Sequence, residues 1–102
     1  ILPLMDIEAH ELKYRIIQGE FFHFFDVREP WEYDEANINA KSLPLTSIPS
    51  RIDQLLPFQN EEIIVHCKSG SRSQQAKLFL QSKGFTQVKS LIGGMEAYHA
   101  LT

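Results

Sequence analysis

The chemistry this chain can do is concentrated at its one cysteine, Cys67. Cys67 ends the apolar, β-branched run Ile63-Ile64-Val65-His66 and is followed by the polar loop Lys68-Ser69-Gly70-Ser71. Arg72 then opens a helix-like segment, Ser73-Gln74-Gln75-Ala76-Lys77-Leu78-Phe79-Leu80. A strand, a turn and a helix start in that order set the sulfur against the backbone N–H groups of the turn and the positive end of the helix dipole, with the Arg72 charge nearby. All three favour the thiolate, which is the nucleophilic form of cysteine. A lone thiol packed as a small hydrophobe is the competing reading. Lys68 to Ser73 would line a core poorly, so the reactive reading is favoured.

Cysteine-based acyl transfer pairs the sulfur with a histidine base. His66 directly precedes Cys67, but neighbours at a strand end point to opposite faces, which keeps His66 away from the sulfur. Nothing in the spacing brings His10, His23 or His99 to the loop, and surface or packing roles are expected for them. Asp26 and Arg28 close a second apolar run, Phe21 to Val27, and so lie at an edge of the sheet. Taken alone, that pair reads as a surface salt bridge. Ligands of parallel α/β sheets lie beyond the carboxyl ends of the strands, so Asp26 and Cys67 are expected to converge on one site.

The elements that must hold the loop follow from capping and periodicity. Asp6 is expected to N-cap a first amphipathic helix over Ile7 to Gln18, stopped by Gly19. After the Phe21 to Val27 strand, Pro30 suits the first position of a short acidic helix through Ala36. Ile38 to Leu45 reads as a short strand with Pro44 closing it. Thr46 to Leu56 reads as a helix burying Ile48, Ile52, Leu55 and Leu56 on one face. The helix after the cysteine buries Ala76, Phe79 and Leu80 and ends at Lys83-Gly84. Val88 to Ile92 is the last strand, Gly93-Gly94 a tight turn, and Met95 to Leu101 a closing helix. Alternating strands and helices predict an α/β domain with a mostly parallel sheet and helices on both faces.

With 102 residues there is room for one domain over residues 1–102. A net charge of −3 leaves no basic stripe for nucleic acid. No apolar run approaches the roughly 20 residues that cross a bilayer. A single cysteine makes no internal disulfide, and no Cys/His cluster has zinc-ligand spacing. The first residues lack the pattern of a secretory signal, so a reducing, cytoplasmic setting is expected. The start at Ile1 rather than Met points to a piece of something longer.

The loop itself suggests anion chemistry. Protein tyrosine phosphatases flank a cradle of backbone N–H donors with a cysteine and an arginine, but with one residue more than the four between Cys67 and Arg72. A tighter cradle suits a sulfur atom carried on the cysteine better than a tetrahedral phosphate. From about Met5 onward the chain resembles a rhodanese domain, a sulfurtransferase module. The likeness rests on Asp26-Val-Arg-Glu-Pro-Trp-Glu-Tyr, Cys67-Lys-Ser-Gly-Ser-Arg-Ser, Lys83-Gly-Phe followed by Val88, and Leu91-Ile-Gly-Gly-Met-Glu-Ala-Tyr. Departures occur at Ala36-Asn37-Ile38, where many members have Gly-His-Ile, and at Tyr98, where many have Trp. Both read as structural.

The resemblance implies a rhodanese-like fold and a catalytic Cys67 that carries sulfane sulfur as a persulfide. It makes Lys68, Ser69, Gly70, Ser71 and Arg72 the persulfide-binding loop, with Asp26, Arg28 and Ser73 as support. No metal or organic cofactor is called for. Arg72 is expected either to draw anionic donors in or to brace the site against a carboxylate. The donor would be a small molecule such as thiosulfate or a protein persulfide. The stretch Arg28 to Tyr33 with Cys67 to Gly70 is similar to rhodanese domains fused to ubiquitin-activating-like adenylyltransferases, which implies a small sulfur-carrier protein and an adenylyltransferase as partners. The rival readings are a non-catalytic interaction or regulatory module that kept the fold, and phosphatase or arsenate reductase chemistry. An intact cysteine argues against the first. The short loop and the lack of a second, resolving cysteine argue against the others.

Overall fold

The computed structural model describes residues 6–101. Met5, where the family resemblance begins, and the first residues examined for a signal sequence lie outside that range. Five helices, α1 (Ala9–Ile17), α2 (Pro30–Glu35), α3 (Ile48–Leu55), α4 (Ser71–Ser82) and α5 (Gly94–His99), surround one sheet. Its strands are β1 (His23–Asp26), β2 (Lys41–Ser42), β3 (Ile63–His66) and β4 (Val88–Ser90). They lie in the order β2-β1-β3-β4, and every neighbouring pair is parallel.

β3 is buried on both faces, as a central parallel strand should be. Its two-residue period then decides what each side chain meets. Ile63, Val65 and Cys67 pack on the face that also holds Phe25, Val27, Leu55 of α3, and Ala76 and Leu80 of α4. Ile64 packs on the other face with Leu12 of α1, Leu91, and the half-buried Ala97 and Tyr98 of α5. The expected α/β architecture with helices on both faces is present. Tyr98 fills a place in the second of these cores.

Several boundaries differ from expectation, each for a local reason. Asp6 does not cap α1, whose N-cap is Glu8. Ile7 instead runs extended beside Leu91, donating its N–H to Ser90 O at 3.2 Å and accepting from Ile92 N at 2.9 Å, so the helix starts later. The Ile38 to Leu45 strand shrinks to Lys41–Ser42 because Asn39 turns the chain at φ 69°. Leu56 leaves the apolar stripe and is 43% exposed, since the chain tightens into a 3-10 turn at Leu56–Phe58. β4 stops at Ser90, where Leu91 turns to pair with Ile7. The Ala36 to Asn39 departure is held by its own bonds, from Asn37 Nδ2 to Tyr33 O at 3.1 Å and from Asn39 N–H to Asn37 Oδ1 at 3.0 Å.

One close approach ties α5 to the loop after β3. Gly94 sits at φ 58°, and a Cβ there would lie 2.5 Å from the carbonyl carbon and oxygen of Lys68 and 2.6 Å from Cys67 O. With only hydrogen in that space, Met95 N–H donates to Cys67 O at 2.9 Å and Glu96 N–H to Lys68 O at 3.0 Å. Gly94→Ala meets both a left-handed backbone and a backbone clash, and is expected to cost about 2–4 kcal/mol in urea unfolding. Stability equal to that of the parent would contradict this packing.

Candidate active site

Gly70 adopts φ 113°, a conformation that suits glycine, and turns the chain into α4 at Ser71. The turn and the first turn of α4 leave N–H groups without helical partners. Three of them face Cys67. Gly70 N–H donates to Sγ at 3.1 Å and Ser73 N–H at 3.4 Å, and Ser69 N–H adds to them. The Ser73 hydroxyl lies 3.5 Å from the sulfur. Cys67 itself is only 1% exposed. Burial pushes its thiol up, but the Ser73 hydroxyl and the N–H groups of Ser73, Gly70 and Ser69 together pull harder, so the group ionises below the ordinary cysteine range. The carbonyls of Cys67 and Lys68, which would oppose a negative sulfur, are occupied by α5 instead.

Lys68, Ser69 and Ser71 form an exposed rim around this buried floor. Arg72 points to α2, donating from Nη1 to Glu32 Oε1 at 2.6 Å and from Nη2 to Glu32 Oε2 at 3.1 Å. This is the carboxylate contact that a bracing role for Arg72 would use. Its guanidinium holds the Glu32 carboxyl down to about 2. Glu32 itself is positioned by a capping box, in which it accepts the Glu29 N–H at 3.0 Å.

Asp26 and Arg28 are buried, at 0% and 7% exposure, so the reading as a surface salt bridge is overturned. Register is the cause: Asp26 pairs with His66 across the two central strands, one residue before Cys67. Arg28 donates from Nε and Nη2 to both Asp26 oxygens and from Nη2 to Ala36 O at 2.7 Å. No hydrogen bond links this pair to the sulfur. It fastens the end of β1 to the end of α2, the helix that carries Glu32. His66 lies across the sheet from Cys67, its ring 5.3 Å from that of Phe24. Burial holds its imidazole below the ordinary range despite Asp26 Oδ2 at 3.6 Å.

A cleft of about 300 Å³ opens beside the loop, lined by Arg28, Trp31, Glu32, Lys68, Met95 and His99 among others. His99, for which a surface or packing role was expected, is exposed and belongs to this rim. The spacing gave no hint of it, because α5 reaches the loop only through the Gly93-Gly94 turn. Glu32 was likewise missed as the partner of Arg72. The available signals were an arginine at a helix start in need of a carboxylate and an acidic α2. A larger cleft of about 450 Å³ lies by Phe21, Phe24, Arg51 and Phe58, away from the cysteine loop. Among the described residues no three His, Cys, Asp or Glu side chains are grouped to hold a metal ion. Among the described residues no helix is long and apolar enough to cross a membrane.

Comparison with known proteins adds the following. The family model for the rhodanese-like domain matches residues 8–101. A sulfurtransferase of Allochromatium vinosum is 31% identical over 91% of this chain and 86% of its own length. The thiosulfate sulfurtransferase PspE of Escherichia coli is 35% identical over 72% of this chain and 71% of its own. The adenylyltransferase and sulfurtransferase MOCS3-1 of Zea mays is 31% identical over 90% of this chain, which spans only 21% of that protein. Among solved structures, the rhodanese-like domain of an Anabaena protein superimposes with a TM-score of 0.85 at 31% identity, covering 99% of this chain and 76% of that one. With a family match over nearly its whole length and an N–H cradle built around its one cysteine, the chain belongs to the rhodanese family.

Proposed function

We propose that this domain is a sulfurtransferase that moves sulfane sulfur through a persulfide on Cys67. The observation that carries the reading is the set of N–H donors from Ser69, Gly70 and Ser73 converging on a buried sulfur. In the first step the Cys67 thiolate attacks the outer sulfur of thiosulfate or of a protein persulfide. A new S–S bond forms, the donor's S–S bond breaks, and sulfite or the donor thiolate leaves with the electron pair. The negative charge moves to the outer sulfur of Cys67. The free N–H groups at the start of α4 and the dipole of that helix lie on the loop side of the sulfur and suit this anion. In the second step a nucleophile takes the outer sulfur and the thiolate returns.

Lys68, exposed on the rim, serves to attract anionic donors. Arg72 with Glu32, and Arg28 with Asp26, hold the walls. The donor class follows the thiosulfate sulfurtransferase named above. A fused or separate adenylyltransferase follows the maize relative, and a small sulfur-carrier protein as acceptor follows the resemblance of Arg28 to Tyr33 and Cys67 to Gly70; both are proposals about a protein longer than this domain.

Intact-mass measurement tests the reading. Incubation with thiosulfate should add one sulfur atom, cyanide should remove it, and Cys67→Ser should take up none. A folded, thiol-reactive protein that gains no sulfur from thiosulfate or from persulfide donors would overturn it. The brace makes a second, separate expectation. Because Glu32 titrates near 2 when folded, against an ordinary 4.5, its pairing stabilises the fold above the higher value and is lost as pH falls through the lower one. Unfolding measured between these limits should show a steeper acid loss for the parent than for Glu32→Gln. Parallel curves would contradict a structural role for the Arg72–Glu32 pair.

A further inference from the structure

Behind the loop, the Ser73 hydroxyl has three neighbours and one hydrogen. Cys67 Sγ lies at 3.5 Å, Gly70 O at 3.1 Å and Ser90 Oγ at 2.6 Å. Which of these receives the hydrogen decides whether Ser73 supports a thiolate. If Ser73 donated to Ser90, the sulfur would lose its hydroxyl donor.

Ser90 settles the direction. It is 1% exposed and sits at the end of β4 with both backbone groups engaged, its N–H to Asp6 Oδ1 at 2.9 Å and its C=O from Ile7 N at 3.2 Å. Among the described residues its hydroxyl has one hydrogen-bond partner, Ser73 Oγ. A buried hydroxyl that donates to nothing is unfavourable, so Ser90 is the donor and Ser73 the acceptor in that 2.6 Å contact. The Ser73 hydrogen is then free for Sγ or for Gly70 O. Gly70 O also takes the Gln74 N–H at 3.1 Å, so it stays bonded when Ser73 turns to the sulfur.

We propose that Ser90 is a positioning residue: its hydroxyl donates to Ser73 Oγ and so directs the Ser73 hydrogen onto the Cys67 thiolate. Asp6 fixes the donor. Its carboxylate accepts the Ser90 N–H, the Lys77 ammonium at 2.7 Å and the Gln74 amide, tying β4 to α4 at the level of the two serines. When a persulfide forms, charge leaves Sγ for the outer sulfur, and the Ser73 hydrogen returns to Gly70 O with no donor stranded. The chain Ser90, Ser73, Cys67 thus serves both states of the sulfur by moving one hydrogen. This proposal rests on Cys67 being the nucleophile of the preceding section, but it concerns thiolate formation and is tested without sulfur transfer.

Cys67 is the only cysteine, so the rate of alkylation by iodoacetamide against pH reads its thiolate alone. Ser90→Ala should move the half-point to higher pH and slow alkylation below it by about three- to tenfold, while Ser90→Thr, which keeps the hydroxyl, should restore the parent profile. Because Ser90 acts through Ser73, Ser73→Ala and the Ser73→Ala/Ser90→Ala double variant should give one common profile. The other charged and titratable groups around the site are Lys68 and Arg72 on the loop and α4, Glu29, Glu32 and Glu35 at and on α2, Asp26, Arg28 and His66 at the strand ends, Glu96 and His99 on α5, and Asp6 with Lys77. All are unchanged in these variants. A Ser90→Ala profile superimposed on the parent's, or an effect of Ser90→Ala that persists without the Ser73 hydroxyl, would overturn the proposal. If Ser90→Ala does not fold, the parent protein decides by NMR: a slowly exchanging Ser90 hydroxyl proton with a cross-peak to Ser73 supports the relay, and a freely exchanging one refutes it. Failure of sulfur uptake with these shifts intact would count against the proposed function alone.

Discussion

The direction in which two peptide groups point governs this site. The carbonyls of Cys67 and Lys68 face α5, where the N–H groups of Met95 and Glu96 take them up, and the N–H groups that follow face the sulfur. Reversing either carbonyl would set a partial negative charge toward an anion and leave a buried donor unpaired. The arrangement requires the first residue of α5 to pass close to the loop backbone, and glycine at position 94 makes that possible. The parallel sheet, the Gly93-Gly94 turn and the placing of α5 over the strand ends serve this contact.

The charges nearby are largely spent on one another. Arg72 is matched by Glu32, Arg28 by Asp26, and Lys77 by Asp6, while Lys68 makes no salt bridge among the described residues. The sulfur therefore meets fixed dipoles rather than a dedicated counter-ion. Such dipoles need little reorganisation when charge appears, and a water-poor cradle increases their effect. They also suit the proposed transfer, in which the anion would move outward by about 2 Å, the length of an S–S bond, between thiolate and persulfide. A guanidinium paired directly with Cys67 would hold the thiolate more firmly and favour one state over the other.

Much of this was legible locally. Strand, glycine turn and helix start are neighbours in the chain, so the Cys67 loop and the helix dipole behind it were visible without any tertiary information. The alternation that separates His66 from Cys67 was equally readable, being a property of one strand. What escaped depends on contacts between distant segments. The partner of Arg72 lies 40 positions away on α2, and the burial of Asp26 and Arg28 follows from strand register. Asp6 looked like a helix cap because an acidic residue before an amphipathic run has that signature. A pairing of Ile7 with Leu91, at the far end of the chain, assigned it instead to α4 and β4. His99 reached the rim by the same kind of long-range closure.

The most direct test of the account is a titration of the thiolate's ultraviolet absorbance in the reduced parent protein, with Cys67→Ser as the blank. A cradle of N–H donors that outweighs burial predicts a midpoint clearly below about 8.5, the value of an unperturbed cysteine. A midpoint at or above that value would mean that burial prevails, that the loop does not act as an anion cradle, and that the central claim is wrong.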